Sequence, residues 1–307
     1  MGIRPLPLHL AKIAAEELNE NEKRIPEDVK AINDWLDKQP HLTARRDEQF
    51  IVGFLRGNKY SLERTKEKMD MYYTMKTACP ELFGNRDPLD PVNKTMADLG
   101  VVVQLPHTHS DGSRITLSRP YCYDPQKNKL EEMVKFAFII GDLNLLEDDD
   151  AVVAGQTCII DLQDMTMAHT VQGSATFLKK FAVLIQDAYP FRIKAFHYIN
   201  VPTIFEVIFK LFSQFVSEKM RKRLFLHSSL DALYAHIPKK ALPSEYGGEI
   251  GSMESLKADL FNKLHNKRAW FKEDINYKSD ESRRIGKPKN NDILFGVEGS
   301  FRKLDID

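Results

Sequence analysis

Four cations, Arg192, Lys194, Lys219 and Arg223, bracket the most apolar stretch of the chain, a pairing of side chains suited to an anionic, amphipathic surface. A strand over Arg192–Ile199 puts Arg192 and Lys194 on one face, because residues two apart point the same way. A helix over Thr203–Lys222, continued through Arg223, stacks Lys219 and Arg223 one turn apart. Each cation beside an anionic lipid surface contributes about 1 kcal/mol. Together that is about 4 kcal/mol, roughly a thousandfold in binding, enough for a reversible visit. The competing account is a solvated charge run that complements a helix macrodipole.

Between these cations, Ile204, Phe205, Val207, Ile208, Phe209, Leu211, Phe212, Phe215, Val216 and Met220 cover roughly 220° of a helical wheel. One-sided packing needs only a stripe of ~100°. Such a helix either lies in the middle of a core or has two apolar partners, a lipid ligand on one side and a bilayer on the other.

Other chemistry is hard to build from this chain. There is no GxSxG elbow, phosphate-binding glycine loop or HExxH pair, so no enzyme and no cofactor is expected. His107 and His109 sit in a turn-forming stretch, and Glu147-Asp148-Asp149-Asp150 lacks the alternation and glycine of a calcium loop, so no metal site is expected. Cys158 reads as a small buried hydrophobe, and His197 as an interior histidine on the strand face of Ile193 and Ala195. The 44 basic and 44 acidic residues balance, leaving no global field for nucleic acid. Cys79, Cys122 and Cys158 are scattered, which fits a reducing compartment. No apolar run approaches the ~20 residues of a membrane span, and the start lacks a secretion signal. A cytoplasmic chain, transiently at membrane surfaces and monomeric, is the expectation.

The elements that must position these residues begin with helices. Leu10, Ile13, Ala14 and Leu18 mark one; Pro26, Val29, Ile32 and Leu36 a second; Asp47–Arg56 a third; and Ser61 caps a fourth. Residues 80–100 hold Pro80, Pro88 and Pro91 and read as a linker. From Val101 the pattern alternates: strands Val101–Leu105 and Arg114–Ser118, a helix near Leu130–Leu146, strand Thr157–Leu162, helix Ser174–Ala188, strand Arg192–Ile199, the greasy helix and strand Leu224–His227. Ser252 opens a last helix, and from Tyr277 the chain turns polar.

The run Gly155-Gln156-Thr157-Cys158-Ile159-Ile160-Asp161-Leu162, continuing to Leu242-Pro243-Ser244-Glu245-Tyr246-Gly247-Gly248, resembles the lipid-binding domain of the CRAL-TRIO family. Asp47–Tyr60 resembles that family's amino-terminal helical module. Within the family the chain is similar to tocopherol-transfer and retinaldehyde-binding members. Its tail, Gly296–Leu304, is similar to the ending of insect tocopherol-transfer-like members.

The resemblance implies an α/β fold: an all-helical module over 1–79, a linker over 80–100, a lipid-binding domain over 101–274 with a mixed five-stranded sheet and a helical gate, and an arm over 275–307. It implies a pocket lined by Val134, Ala137, Phe138, Gly141, Ile160, Leu162, Phe177, Leu184, Ile193 and Ala195, closed by Phe205, Ile208, Phe209 and Phe212. It assigns Arg192, Lys194, Lys219 and Arg223 to phosphoinositide head groups, while a further family arginine falls at Asn58 here. Where tocopherol-binding members carry serines, Ala137 and Gly141 offer no side-chain hydrogen bond and leave more room. The ligand is thus open among tocopherol-, retinoid- and carotenoid-like molecules. The implied function is exchange of such a ligand at phosphoinositide-containing membranes; the alternative is a lipid-sensing adaptor in membrane trafficking.

Overall fold

A computed structural model describes residues 2–296. The chain opens with four helices: α1 (Leu8–Leu18), α2 (Ile25–Leu36), α3 (Glu48–Gly57) and α4 (Leu62–Ala78), with strand β1 (Leu42–Thr43) between the second and third. α1 buries Leu10, Ala14 and Leu18, four apart, and stops at Asn19 in the left-handed region. α2 carries Pro26 in its first turn with Glu27 and Asp28 at its positive end. Ser61 does precede α4, but its hydroxyl makes no capping bond.

Residues 80–100 differ from the expected linker. They form α5 (Pro80–Phe83) and α6 (Pro91–Leu99), each with proline in its first turn, where a missing N–H is harmless. Leu82, Phe83 and Met96 are buried, and so is Arg86. The prolines start helices here instead of breaking them.

The rest alternates. Strands β2 (Val102–Thr108) and β3 (Arg114–Ser118) lead to α7 (Leu130–Glu147), β4 (Gln156–Asp161), α8 (Met167–Thr170), α9 (Ala175–Val183) and β5 (Ile193–Ile199). Then come α10 (Phe205–Phe215), α11 (Glu218–Arg221), β6 (Leu224–Leu226), α12 (Leu230–Tyr234), α13 (Met253–Asn266), α14 (Arg268–Glu273), β7 (Lys278–Ser279) and α15 (Asn291–Phe295). The sheet runs β2-β3-β4-β5-β6, antiparallel at its first pair and parallel thereafter, with helical crossovers serving the parallel pairs. One face packs Val103, Leu117 and Ile159 against Leu233, Leu242 and Leu256. The other face looks into a cavity.

Two departures follow from local chemistry. The segment expected as one helix over Thr203–Lys222 is two, because Val216 turns extended (ψ 148°) and Ser217 caps α11 by accepting from the Met220 N–H. After Tyr277 the chain docks: β7 pairs with β1, and Arg284 and Lys289 reach Asp70 on α4 at 2.9 and 2.5 Å. The tail resemblance, Gly296 apart, lies outside the described residues.

Candidate ligand cavity and basic cluster

A cavity of about 250 Å³ lies between the sheet and α7, α9 and α10. On α7 the stripe Val134, Ala137, Phe138 and Gly141 follows helical spacing, so one face lines the wall. On the sheet Ile160, Ile193, Phe196 and Tyr198 face it, with Leu162 just beyond β4. Phe177, Phe181 and Ile185 come from α9 and its continuation. Phe205, Ile208, Phe209 and Phe212 of α10 form the lid.

Leu184 and Ala195, expected in the wall, are not there. After α9 the helix widens into a π turn, Leu184–Ala188, which delays the inward face from 184 to Ile185 and turns Leu184 into fully buried packing. On β5 the register slips: Gln156 pairs with Ile193 but Thr157 pairs with Ala195. That bulge at Lys194 exchanges the faces, so Phe196 and Tyr198 point to the cavity. His197 consequently leaves the face of Ile193 and packs behind the sheet against Phe225 and His227.

The extra room expected at Gly141 is already taken. A Cβ there would lie 2.5 Å from Phe191 Cζ, and the Phe191 ring stacks on Tyr189 at 4.5 Å. Serine at 141 would collide with that ring.

The lid is not a core helix. Of α10 only Phe212 is buried, Val207 is 71% exposed, and Phe205, Ile208 and Phe209 are half-buried. Its inner side leans on aromatics: Phe209 on Tyr198 at 5.6 Å, Phe205 on Tyr198 at 5.7 Å, Phe212 on Phe181 at 5.8 Å. Its inner side is thus apolar and partnered, while its exposed side carries Val207 among Glu206, Lys210 and Gln214.

Three of the four cations, Arg192, Lys194 and Arg223, meet at the start of β5, while Lys219 stands on α11. Arg192 donates to the Val153 carbonyl and pairs with Glu17 of α1 at 2.7 Å. Lys194 approaches Glu17 at 3.8 Å and Asp111 at 4.0 Å. Arg223 donates to the Ile193 carbonyl, and burial followed by the nearby Arg192 charge lowers its pKa. Lys219 is exposed and has no ion partner among the described residues. Gly155, at φ 109°, makes this crowding possible, since a Cβ would sit 2.5 Å from the Arg192 carbonyl oxygen. Glu17 is held below the usual carboxylate range chiefly by its hydrogen bond from Arg192.

The acidic run 147–150 is a pairing hub. Arg114 reaches Asp148 at 2.6 Å and Asp150 at 2.7 Å, Arg4 reaches Asp149 at 3.0 Å, and Lys267 reaches Glu147 at 2.7 Å. Among the described residues no group of acidic, histidine or cysteine side chains could hold a metal ion. Nor is any described helix long and apolar enough to cross a membrane.

Residues 100–248 match the family described as "CRAL/TRIO domain", and residues 21–92 match "Pinta-like, UBA domain". The "Alpha-tocopherol transfer protein-like" protein of Homo sapiens is 30% identical over 244 residues, covering 79% of this chain and 70% of that one. The chain belongs to the CRAL-TRIO family. "Clavesin-1" of Rattus norvegicus is 27% identical over 251 residues, covering 81% and 70%. The "Crystal structure of Sfh5" shares the fold at TM-score 0.50 and 13% identity, covering 83% of this chain and 92% of that one. The family is one of lipid-binding and lipid-transfer proteins.

In this CRAL-TRIO chain several residues near the site escape sequence patterns. The Lys68 ammonium on α4 donates to the Gln186 and Tyr189 carbonyls at 2.9 and 3.0 Å, and burial pushes its pKa down to about 8. Asn144 and Gln156 line the cavity although their types give no such signal. Asn58, at the family's arginine position, is buried and donates to the Phe54 carbonyl at 2.8 Å.

Proposed function

We propose that this protein carries one tocopherol-, retinoid- or carotenoid-like molecule in the cavity and exchanges it at phosphoinositide-containing membranes. It acts as a carrier in the cytoplasm, with no chemistry on its cargo. The observation that carries the reading is α10: seated with its aromatic side over an apolar cavity, exposing Val207 on its outer side, and bracketed along the chain by Arg192, Lys194, Lys219 and Arg223. Among the described residues nothing covers Val207, and a bilayer supplies a partner for it. The name of one relative, "Alpha-tocopherol transfer protein-like", points the same way.

The cavity size supports a moving lid. At about 250 Å³ it is below the ~300–1,000 Å³ of typical ligand pockets, so cargo must push α10 outward. The break at Val216-Ser217 and the turn at Val201-Pro202 bound a piece that can swing as a unit. Acidic lipid beside the cluster then favours the open state by binding it better.

The test is delivery of α-tocopherol, retinal or β-carotene between vesicles with and without phosphatidylinositol bisphosphate. Replacing Arg192, Lys194, Lys219 and Arg223 together with alanine should lower phosphoinositide-dependent delivery by roughly tenfold to a thousandfold, with ligand occupancy kept. Delivery that survives the change refutes the docking reading. Wild-type protein that holds its ligand without exchanging it is an adaptor and not a carrier.

A further inference from the structure

The cavity has a polar pole at the end where β4 begins. Gln156, the first residue of β4, is 7% exposed and lines the cavity, yet among the described residues its side-chain amide has no hydrogen-bond partner. Asn144, on the last turns of α7, is 2% exposed and lines the same cavity. The two belong to one end, because Arg114 pairs in register with Gln156 while its guanidinium grips Asp148, the residue that caps α7.

The orientation of Asn144 is chemically fixed. Asp148, held by Arg114, can only accept, so the Gln104 atom that bonds it is the amide nitrogen. The Gln104 oxygen turns the other way, to Lys263 at 3.5 Å. The Asn144 atom 3.1 Å from the Gln104 nitrogen is therefore its oxygen, and the Asn144 NH₂ is left to donate. A chain of four side chains, Arg114–Asp148–Gln104–Asn144, thus leaves a donor on Asn144, which lines both this cavity and the polar cleft around Asp148, at the same end as the Gln156 carboxamide that both donates and accepts.

We infer that Asn144 and Gln156 form a head-group subsite for a neutral oxygen function, a hydroxyl or a carbonyl, on an otherwise apolar ligand entering head first. A hydroxyl satisfies both residues, since it accepts from Asn144 and donates to the Gln156 oxygen. A carboxylate or phosphate does not fit. Among the described residues no lysine or arginine lines the cavity, and both ring nitrogens of its histidine, His169, are engaged with Thr166 at 2.9 Å and the Tyr123 carbonyl at 3.0 Å. A buried charge there would have no counter-ion. This inference rests on the carrier reading and narrows its cargo.

The experiment uses the full chain and measures binding of two matched pairs, retinol with its hydrocarbon axerophthene and cholesterol with cholestane, together with retinoic acid. Wild-type protein should favour the alcohol of the pair it accepts by about tenfold and should bind retinoic acid more weakly than retinol. Gln156→Leu removes no protein contact, so it should fold normally. It should shrink the alcohol preference to about twofold or less while affinity for the hydrocarbon holds or rises. Asn144→Leu should do the same. Alcohol and hydrocarbon bound equally by wild type, or a preference unchanged in Gln156→Leu, overturns the subsite. Binding none of the five molecules overturns the carrier reading instead.

Discussion

The two helical walls of the cavity, α7 and α10, are opposite in construction. Behind α7 the Asp142 carboxylate is fully buried and takes the Arg86 guanidinium at 2.5 Å and the hydroxyls of Tyr72 and Tyr189 at 3.2 and 3.1 Å. Arg86 also reaches Asp274 at 3.2 Å, where Lys76 converges at 2.8 Å. Helix α4, the stretch after α5 and the segment after α14 are therefore clamped to α7 by one buried ionic network. Among the described residues no such network stands behind α10, whose Val207 is 71% exposed. Buried, ion-paired elements open last and sparsely packed ones first, so one wall is a reference frame and the other a door.

The largest effect should come from breaking the frame. Arg86→Met leaves Asp142 and Asp274 short of a counter-charge in the interior, and breaking one partner of a buried pair costs about 3–5 kcal/mol. The door should be indifferent by contrast: Val207→Ser, on the exposed face of α10, should change stability by less than about 0.5 kcal/mol. Urea denaturation of both variants measures the contrast. Equal midpoints would mean that the two walls do not differ in the way their burial indicates.

A second, smaller effect separates the walls by pH. His197 sits behind the sheet, its Nδ1 2.8 Å from His227 Nε2, with His236 at 5.3 Å ring to ring and His109 bonded to the His236 carbonyl. Asp111 neighbours His109 at 2.9 Å. Burial first, and then His227, His236 and His109, push the His197 pKa down from 6.5 to about 4. The folded state therefore holds it neutral while the unfolded chain would take a proton. That contribution is complete above pH 6.5 and is lost as pH falls toward about 4. Allowing for partial solvation, about 1–2 kcal/mol should disappear by pH 4.5. His197→Phe should flatten the stability profile between pH 7 and 4.5. A profile of the same slope in His197→Phe would move the titration to another group.

How much of this was legible depended on distance along the chain. The helical start, the alternating pattern and the five-stranded sheet follow from periods of 3.6 and 2, which any short window displays. Val134, Ala137, Phe138 and Gly141 fall in one stripe for the same reason. Leu184 and Ala195 were misplaced because a π turn and a bulge each shift the phase by one residue, and neither has a reliable local signature. The break in the greasy helix was signalled: Ser217 followed by Glu218 is a capping residue with an acid in the first turn, outweighed by the apolar run around it. The Arg86–Asp142–Asp274 network was out of reach, since its members lie 56 and 188 positions from Arg86. So was Lys68, whose carbonyl partners lie 118 and 121 positions away.

Glu17 gives the finest test of the door side. It lies against Arg192 and Lys194, so α1 lends a carboxylate to the cluster that an anionic head group would need. A partly exposed pair of this kind is worth at most about 1 kcal/mol. Glu17→Gln should therefore leave stability nearly unchanged but free both cations. Affinity for vesicles containing phosphatidylinositol bisphosphate should rise about two- to fivefold, and fall more steeply with added salt. Neutral vesicles should show no gain. A gain on neutral vesicles would instead mean that α1 hinders the lid sterically, and no gain on either would place the head group away from Arg192 and Lys194, on the exposed Lys219 side of the cluster.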